Sequence, residues 1–197
     1  MVKWFVHSEV KRVGCIALRI RWLWICLLAG CVDGSGRPQL DEVSPITAQD
    51  VSLKALNYEQ VQKFIQSHLG KVVVVDAWAT WCPPCLKEFP SLVRLSKRHS
   101  SNDLVCISLS CDYQGLDRFA SVQARVVEFL ETQSATFENV ICTEESGELF
   151  HKMGIPSIPA VFVYGREGQL QQQFGSTTSG PFTYEDVAEV VEVLLGI

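Results

Sequence analysis

The sequence predicts an α/β domain with a central mixed β-sheet and helices on both faces, and three observations carry that prediction. "KVVVVDAWA", residues 71–79, sets four valines in a row with no polar alternation, the pattern of a strand buried on both faces. Runs of this kind alternate along the chain with segments that are apolar at helical spacing, which calls for a layered sheet-and-helix architecture. Near the C-terminus, "AVFVY" and "QLQQQF" flank the turn "GREG", a hairpin signature, and a last helical pattern follows. One domain over residues 51–197 accommodates all of it.

The first helix is predicted in "NYEQVQKFIQSHLG", residues 57–70, apolar at Val61, Phe64, Ile65 and Leu69. Asn57 is suited to cap it and Gly70 to stop it. After the valine strand, "LKEFPSLVRLSKRH" reads as a helix that Pro90 should kink. "LVCISLS", 104–110, is a second buried strand. "LDRFASVQARVVEFLETQ", 116–133, is an amphipathic helix with Phe119, Val122, Val126, Phe129 and Leu130 on one side. "ATFENVICT" gives a third strand, "EESGELFHKMG" a short helix, "AVFVY" a fourth strand and "QLQQQF" its antiparallel partner. The closing helix, "TYEDVAEVVEVLLGI", is apolar at Val187, Val190, Val191, Leu194 and Leu195. Thr183 can cap it, with Asp186 as the acid of a capping box.

The first thirty residues differ in kind. Lys3, Lys11, Arg12, Arg19 and Arg21 precede the uncharged run "WLWICLLAG", residues 22–30, the order of a secretory signal. That run is shorter than the roughly 20 apolar residues a membrane span needs. "LAGC", 28–31, resembles the bacterial lipobox, which implies that residues 1–30 are removed and that Cys31 carries a diacylglyceryl group. An ordinary cleaved signal with a chance cysteine, or an uncleaved anchor, are the alternatives. Residues 31–50, rich in Gly, Ser, Pro and acids, read as a flexible tether. Without residues 1–30, Lys plus Arg falls from 17 to 12 and Asp plus Glu from 22 to 21, a net charge of −9. So acidic a domain repels nucleic acid. Export would also place its cysteines where disulfides persist.

"DAWATWCPPCLKEFP", residues 76–90, separates Cys82 from Cys85 by two prolines. A strand leads in and a helix leads out, so Cys82 is expected exposed at a helix start, with Cys85 one turn inward on the same face. There the helix dipole and unpaired amides favour thiolate over thiol. Pro83 and Pro84 suit a first turn, whose N–H groups have no partner. Zinc would want a second Cys pair or a pair of His, and none stands at that spacing; no metal or cofactor is expected. As a mere staple, a two-residue loop constrains the unfolded chain very little. Redox chemistry is the reading these residues favour.

"VVVVDAWATWCPPC" and "GIPSIPAVFVYGREGQL" resemble the strand, active-site motif and later signature of the thioredoxin family. The resemblance implies a cis peptide bond at Ile158–Pro159, with Pro159 lying against the active cysteines; a proline that merely opens a strand is the plainer reading. Asp76, six residues before Cys82, matches an aspartate of that family and is odd in a buried strand, where charge is costly. Burial would raise its pKa and let it take the proton of Cys85; a solvated strand-end acid is the alternative. Signal, W-C-P-P-C, "KEFP" and an insertion at about 112–140 together resemble the membrane-anchored TlpA/ResA-like thiol–disulfide oxidoreductases. That resemblance implies an extracytoplasmic reductase of protein disulfides, recharged by a membrane electron donor and held to the membrane by its lipid. Trp81, Pro83, Pro84 and Glu88 would support the pair, Glu88 matching an acid of some members or serving only as an exposed helical residue.

Two other functions share the fold. A peroxiredoxin-like peroxidase needs a P-x-x-x-T-x-x-C pattern that "DAWATWC" lacks. A tethered copper-binding or assembly module would use the same soft thiolates. Of the remaining cysteines, Cys106 is expected as a buried free thiol. Cys111 and Cys142 end predicted neighbouring strands, where a second disulfide is possible if their Cα atoms lie within roughly 7 Å.

Overall fold

The computed structural model describes residues 51–175 and 182–197, within a compact unit spanning Ile46–Ile197. The segment 1–30, Cys31 and the tether to residue 50 lie outside the described residues. Element order is β1 (Lys54–Leu56), α1 (Tyr58–Gln66), β2 (Val72–Trp78), α2 (Pro83–Arg98), β3 (Leu104–Ser110) and α3 (Phe119–Thr132). There follow β4 (Glu138–Cys142), α4 (Ser146–Met153), β5 (Ala160–Tyr164), β6 (Leu170–Phe174) and α5 (Tyr184–Leu195).

The strands form one mixed sheet in the order β1-β4-β3-β2-β5-β6. β2, β3, β4 and β1 run parallel, whereas β5 is antiparallel to β2 and β6 to β5. Because β2, β3 and β4 are parallel neighbours, the loops after them, 79–82, 111–118 and 143–145, leave the same edge of the sheet. The inserted helix and strand are α3 and β4.

Alternation along β2 sorts its side chains between two cores. Val72, Val74 and Trp78 face α2, α3 and α5; Val73, Val75 and Ala77 face α1 and α4. Every residue of β2 and of β3 is buried, as runs without polar alternation require. Trp78 anchors the first core, its ring centroid 4.8 Å from those of Phe89 in α2 and Phe129 in α3. The capping signals also hold. Asn57 and Gln60 form a capping box at α1, and Thr183 with Asp186 forms one at α5.

Three expectations need correction. β1, absent from the sequence reading, is a three-residue edge strand, largely exposed and held by pairing with β4 and a Lys54–Glu138 ion pair. α1 ends at Gln66, so Leu69 is exposed rather than on the buried face, and Gly70 (φ +91°) turns the chain after the helix has stopped. α3 begins at Phe119, leaving Leu116 in the preceding loop and 86% exposed.

Candidate active site

β2 delivers the chain into a short loop in which the amide of Cys82 donates to the carbonyl of Ala79 (3.1 Å). Cys82 then caps α2 with extended backbone. The cap is built unusually. A helix start offers several amides with no intrahelical partner, but here the first two positions are Pro83 and Pro84, which have none to offer. The amide of Leu86 is taken by the carbonyl of Cys82 (3.1 Å). That leaves Cys85, whose amide donates to Sγ of Cys82 at 3.4 Å. The cap sulfur therefore receives one amide plus the positive end of the helix, with no acidic residue in the first turn to oppose it. Both effects stabilise a Cys82 thiolate once the pair is reduced.

The two cysteines form a disulfide, with Cα atoms 5.3 Å apart. The expectation of an exposed Cys82 is corrected: the residue is 5% exposed and Cys85 is buried as well. Both cysteines belong to the apolar cluster that contains Trp78, Ala79 and Phe89. Exposure at the site falls instead to Trp81, at 43%, and to Pro83 and Pro84.

Pro159 reaches the same region by register. Ala160 pairs with Ala77 across β5 and β2, which sets Pro159 at the end of β2 that carries the cysteine loop. The Ile158–Pro159 bond is cis. Gly175 (φ +84°) lets the chain leaving β6 pass behind it. A Cβ at that position would come within 2.3 Å of the Pro159 carbonyl oxygen.

Asp76 lies beneath the cysteine loop on the face of β2 covered by α2 and α5, and is 4% exposed. Burial pushes its carboxyl up from 3.8 to about 7, the hydroxyl of Tyr184 pulls it back, and the charge of Glu88 adds to the rise. Glu88, half-buried on α2, is thus felt at Asp76. The Tyr184 hydroxyl donates a hydrogen bond to Asp76 Oδ2. Sequence reading missed Tyr184, because nothing local ties a residue at the start of α5 to a strand 108 positions earlier.

Asp112 was missed too. It is 2% exposed and accepts from the amide of Thr80 (3.0 Å), the Thr80 hydroxyl and the Ser110 hydroxyl (2.8 Å). A buried carboxylate is tolerated when it accepts several hydrogen bonds. Here it binds the cysteine loop to the end of β3.

Cys106 is a buried free thiol. Cys111 and Cys142, considered as a second disulfide, are free buried thiols in this structure. They stand one step beyond the Ser110–Ile141 pair, within the same core. Burial pushes both thiols up, and for Cys111 the nearby Cys142 adds to the rise. Among the described residues, no group of three or more His, Cys, Asp and Glu is placed to hold a metal ion.

Comparisons with known proteins bear on this geometry. The profile of the Redoxin family matches residues 45–194. The chain is similar to the sporulation thiol-disulfide oxidoreductase A of Bacillus subtilis, 25% identical over 174 residues, covering 88% of this chain and 97% of that protein. It is similar to the thiol-disulfide oxidoreductase ResA of Bacillus thuringiensis, 24% identical over 123 residues, covering 62% of this chain and 63% of that one. Among solved structures, a thiol-disulfide isomerase from Corynebacterium glutamicum shares the fold, with a TM-score of 0.55 at 17% identity over 66% of this chain and 84% of that one.

Proposed function

The chain belongs to the Redoxin family and is a thiol–disulfide oxidoreductase; from that premise we propose that it reduces protein disulfides outside the cytoplasmic membrane. The observation that carries the chemistry is the Cys85 amide directed at Sγ of Cys82 at the head of α2. In the reduced protein, the Cys82 thiolate attacks one sulfur of a substrate disulfide. That bond breaks, the other substrate sulfur leaves as a thiol after taking a proton, and Cys82 is joined to the substrate. Cys85 then gives its proton to the Asp76 carboxylate and attacks Sγ of Cys82. The mixed disulfide breaks, the second substrate thiol departs, and Cys82–Cys85 is oxidised. Two electrons have passed to the substrate. An acid poised at about 7 serves this step well, because its base form is populated near neutral pH and it still holds the proton it receives.

An external membrane electron donor must restore the dithiol before another turnover. Trp81, exposed next to Cys82 in the chain, and Pro159, at the end of β2 that carries the cysteine loop, are proposed to offer the substrate an apolar edge. The acidic domain, its basic and apolar leader and "LAGC" support export and lipidation at Cys31, with residues 31–50 as the tether. No helix among the described residues is long and apolar enough to cross a membrane.

The test is the reduction potential of the Cys82–Cys85 pair in the exported domain, equilibrated against glutathione and thioredoxin. A value near that of thioredoxin, about −270 mV, supports the reductase; a value near −120 mV means an oxidant instead. For the anchor, palmitate labelling of the expressed chain should disappear in Cys31→Ser, and unlabelled wild type would reject lipidation.

A further inference from the structure

Asp76 faces a closed set of titratable groups. Glu88 approaches from α2, Cys106 from β3 and Tyr184 from α5, while β5 presents Val161 beside it; Cys111, just after β3, lies in the core on the other face of the sheet. Burial and Glu88 both disfavour a charge on the carboxylate. Only the Tyr184 hydroxyl favours it, by donating a hydrogen bond to the ionised form. Packing alone does not call for that oxygen: a phenylalanine would fill the same space between the helices and the sheet. Tyr184 is also held in place independently of Asp76. It is the first residue of α5, directly after Thr183, whose side chain accepts from the amide of Asp186 and whose amide donates to Asp186 Oδ2 (2.7 Å). The capping box sets where the helix begins, and so where the hydroxyl lies.

We propose that Tyr184 is a positioning residue for disulfide exchange, its hydroxyl keeping the Asp76 carboxylate ionised and oriented so that Cys85 is deprotonated at neutral pH. The inference rests on the reading of Asp76 as the proton acceptor for Cys85. No electrons or atoms pass through Tyr184. The proton moves from Cys85 Sγ to Asp76, and the phenol remains a donor throughout.

The experiment is single-turnover resolution of a mixed disulfide on Cys82, followed from pH 5 to 9 in wild type, Tyr184→Phe, Asp76→Asn and the double variant. Tyr184→Phe should move the acid limb of the rate profile upward by about one pH unit, so that resolution slows about fivefold at pH 7, about tenfold near pH 5, and rejoins wild type near pH 9. Alkylation of Cys82 should be unchanged, and adding Tyr184→Phe to Asp76→Asn should change nothing further. A uniform slowing at every pH, or an unshifted profile, overturns the role of Tyr184. A wild-type profile in Asp76→Asn instead overturns the reading of Asp76 itself. Near-UV circular dichroism of Tyr184→Phe, which loses a single oxygen, checks that the core is intact before either conclusion is drawn.

Discussion

Asp112 accepts hydrogen bonds from both the amide and the hydroxyl of Thr80, and so fastens the loop carrying Cys82 to the end of the neighbouring strand β3. Thr80 stands two residues before Cys82, which makes this clamp a determinant of where the reactive sulfur sits. Removing the acceptor leaves the buried Ser110 hydroxyl and the half-buried Thr80 amide and hydroxyl without that partner. Asp112→Ala should therefore cost about 3 kcal/mol, lowering the melting temperature by roughly 10 °C. Calorimetry of the oxidised domain measures this; a change below 2 °C would show the clamp to be dispensable.

Asp76 makes stability depend on pH in a direction that can be stated. Its folded value of about 7 lies above the ordinary 3.8, so between those limits the folded state binds more protons than the unfolded one. This contribution to stability is full below about pH 4, declines as pH rises, and is gone above about 7. The gap corresponds to about 4 kcal/mol as an upper scale. Asp76→Asn, which still offers an oxygen to Tyr184, should flatten the dependence and be the more stable protein at pH 8. Urea titrations at pH 5 and 8 check the sign, and parallel losses in the two proteins would contradict it.

Pro84 occupies the second position of α2, where a cap side chain commonly finds a backbone donor. Pro84→Ala restores an amide there and offers the Cys82 thiolate a second hydrogen bond. A bond to a charged acceptor contributes about 1.5 kcal/mol. Stabilising the reduced form by that amount should raise the reduction potential by roughly 30 mV. Equilibration against a glutathione series resolves such a shift; an unchanged or lowered potential would count against amide control of the thiolate.

The cysteines outside the motif give a simpler test. With the Cys82–Cys85 bond intact, a domain beginning at Val51 should take up alkylating agent only after denaturation, at Cys106, Cys111 and Cys142. Intact mass should show three labels without reductant. A single label would mean that Cys111 and Cys142 had paired after all.

Residues whose neighbours in sequence define their setting were legible. The valine strand, the Asn57 cap, the Thr183–Asp186 capping box, the placement of Cys82 at a helix start and the antiparallel hairpin all arise from local pattern, and the sheet follows from their order. The elements that escaped depend on distant partners. β1 has no periodicity of its own and exists because β4 offers it an edge. Asp112 reads as a loop acid until β3 and the cysteine loop are side by side, and Tyr184 reads only as the residue that follows the Thr183 cap of a closing helix. The burial of Cys82 was not legible for a related reason: it comes from packing with Trp78, Ala79 and Phe89, which only the folded sheet and helix bring together.

The loops after β2, β3 and β4 emerge together, yet only the first carries the exchanging sulfurs, and their donor comes from α2 rather than from either neighbour. The amide of Ser146, the first residue of α4, donates to the carbonyl of Tyr113 (2.7 Å), which joins the second loop to the helix that follows the third. Within that rim, Asp112 alone among the described residues is hydrogen-bonded to the cysteine loop, through Thr80, whereas the donor to Cys82 Sγ lies outside it in α2. The connection after β3 is therefore divided in its duties: its second residue is bound to the exchange site, and the stretch beyond it can change length without displacing the amide that serves the sulfur.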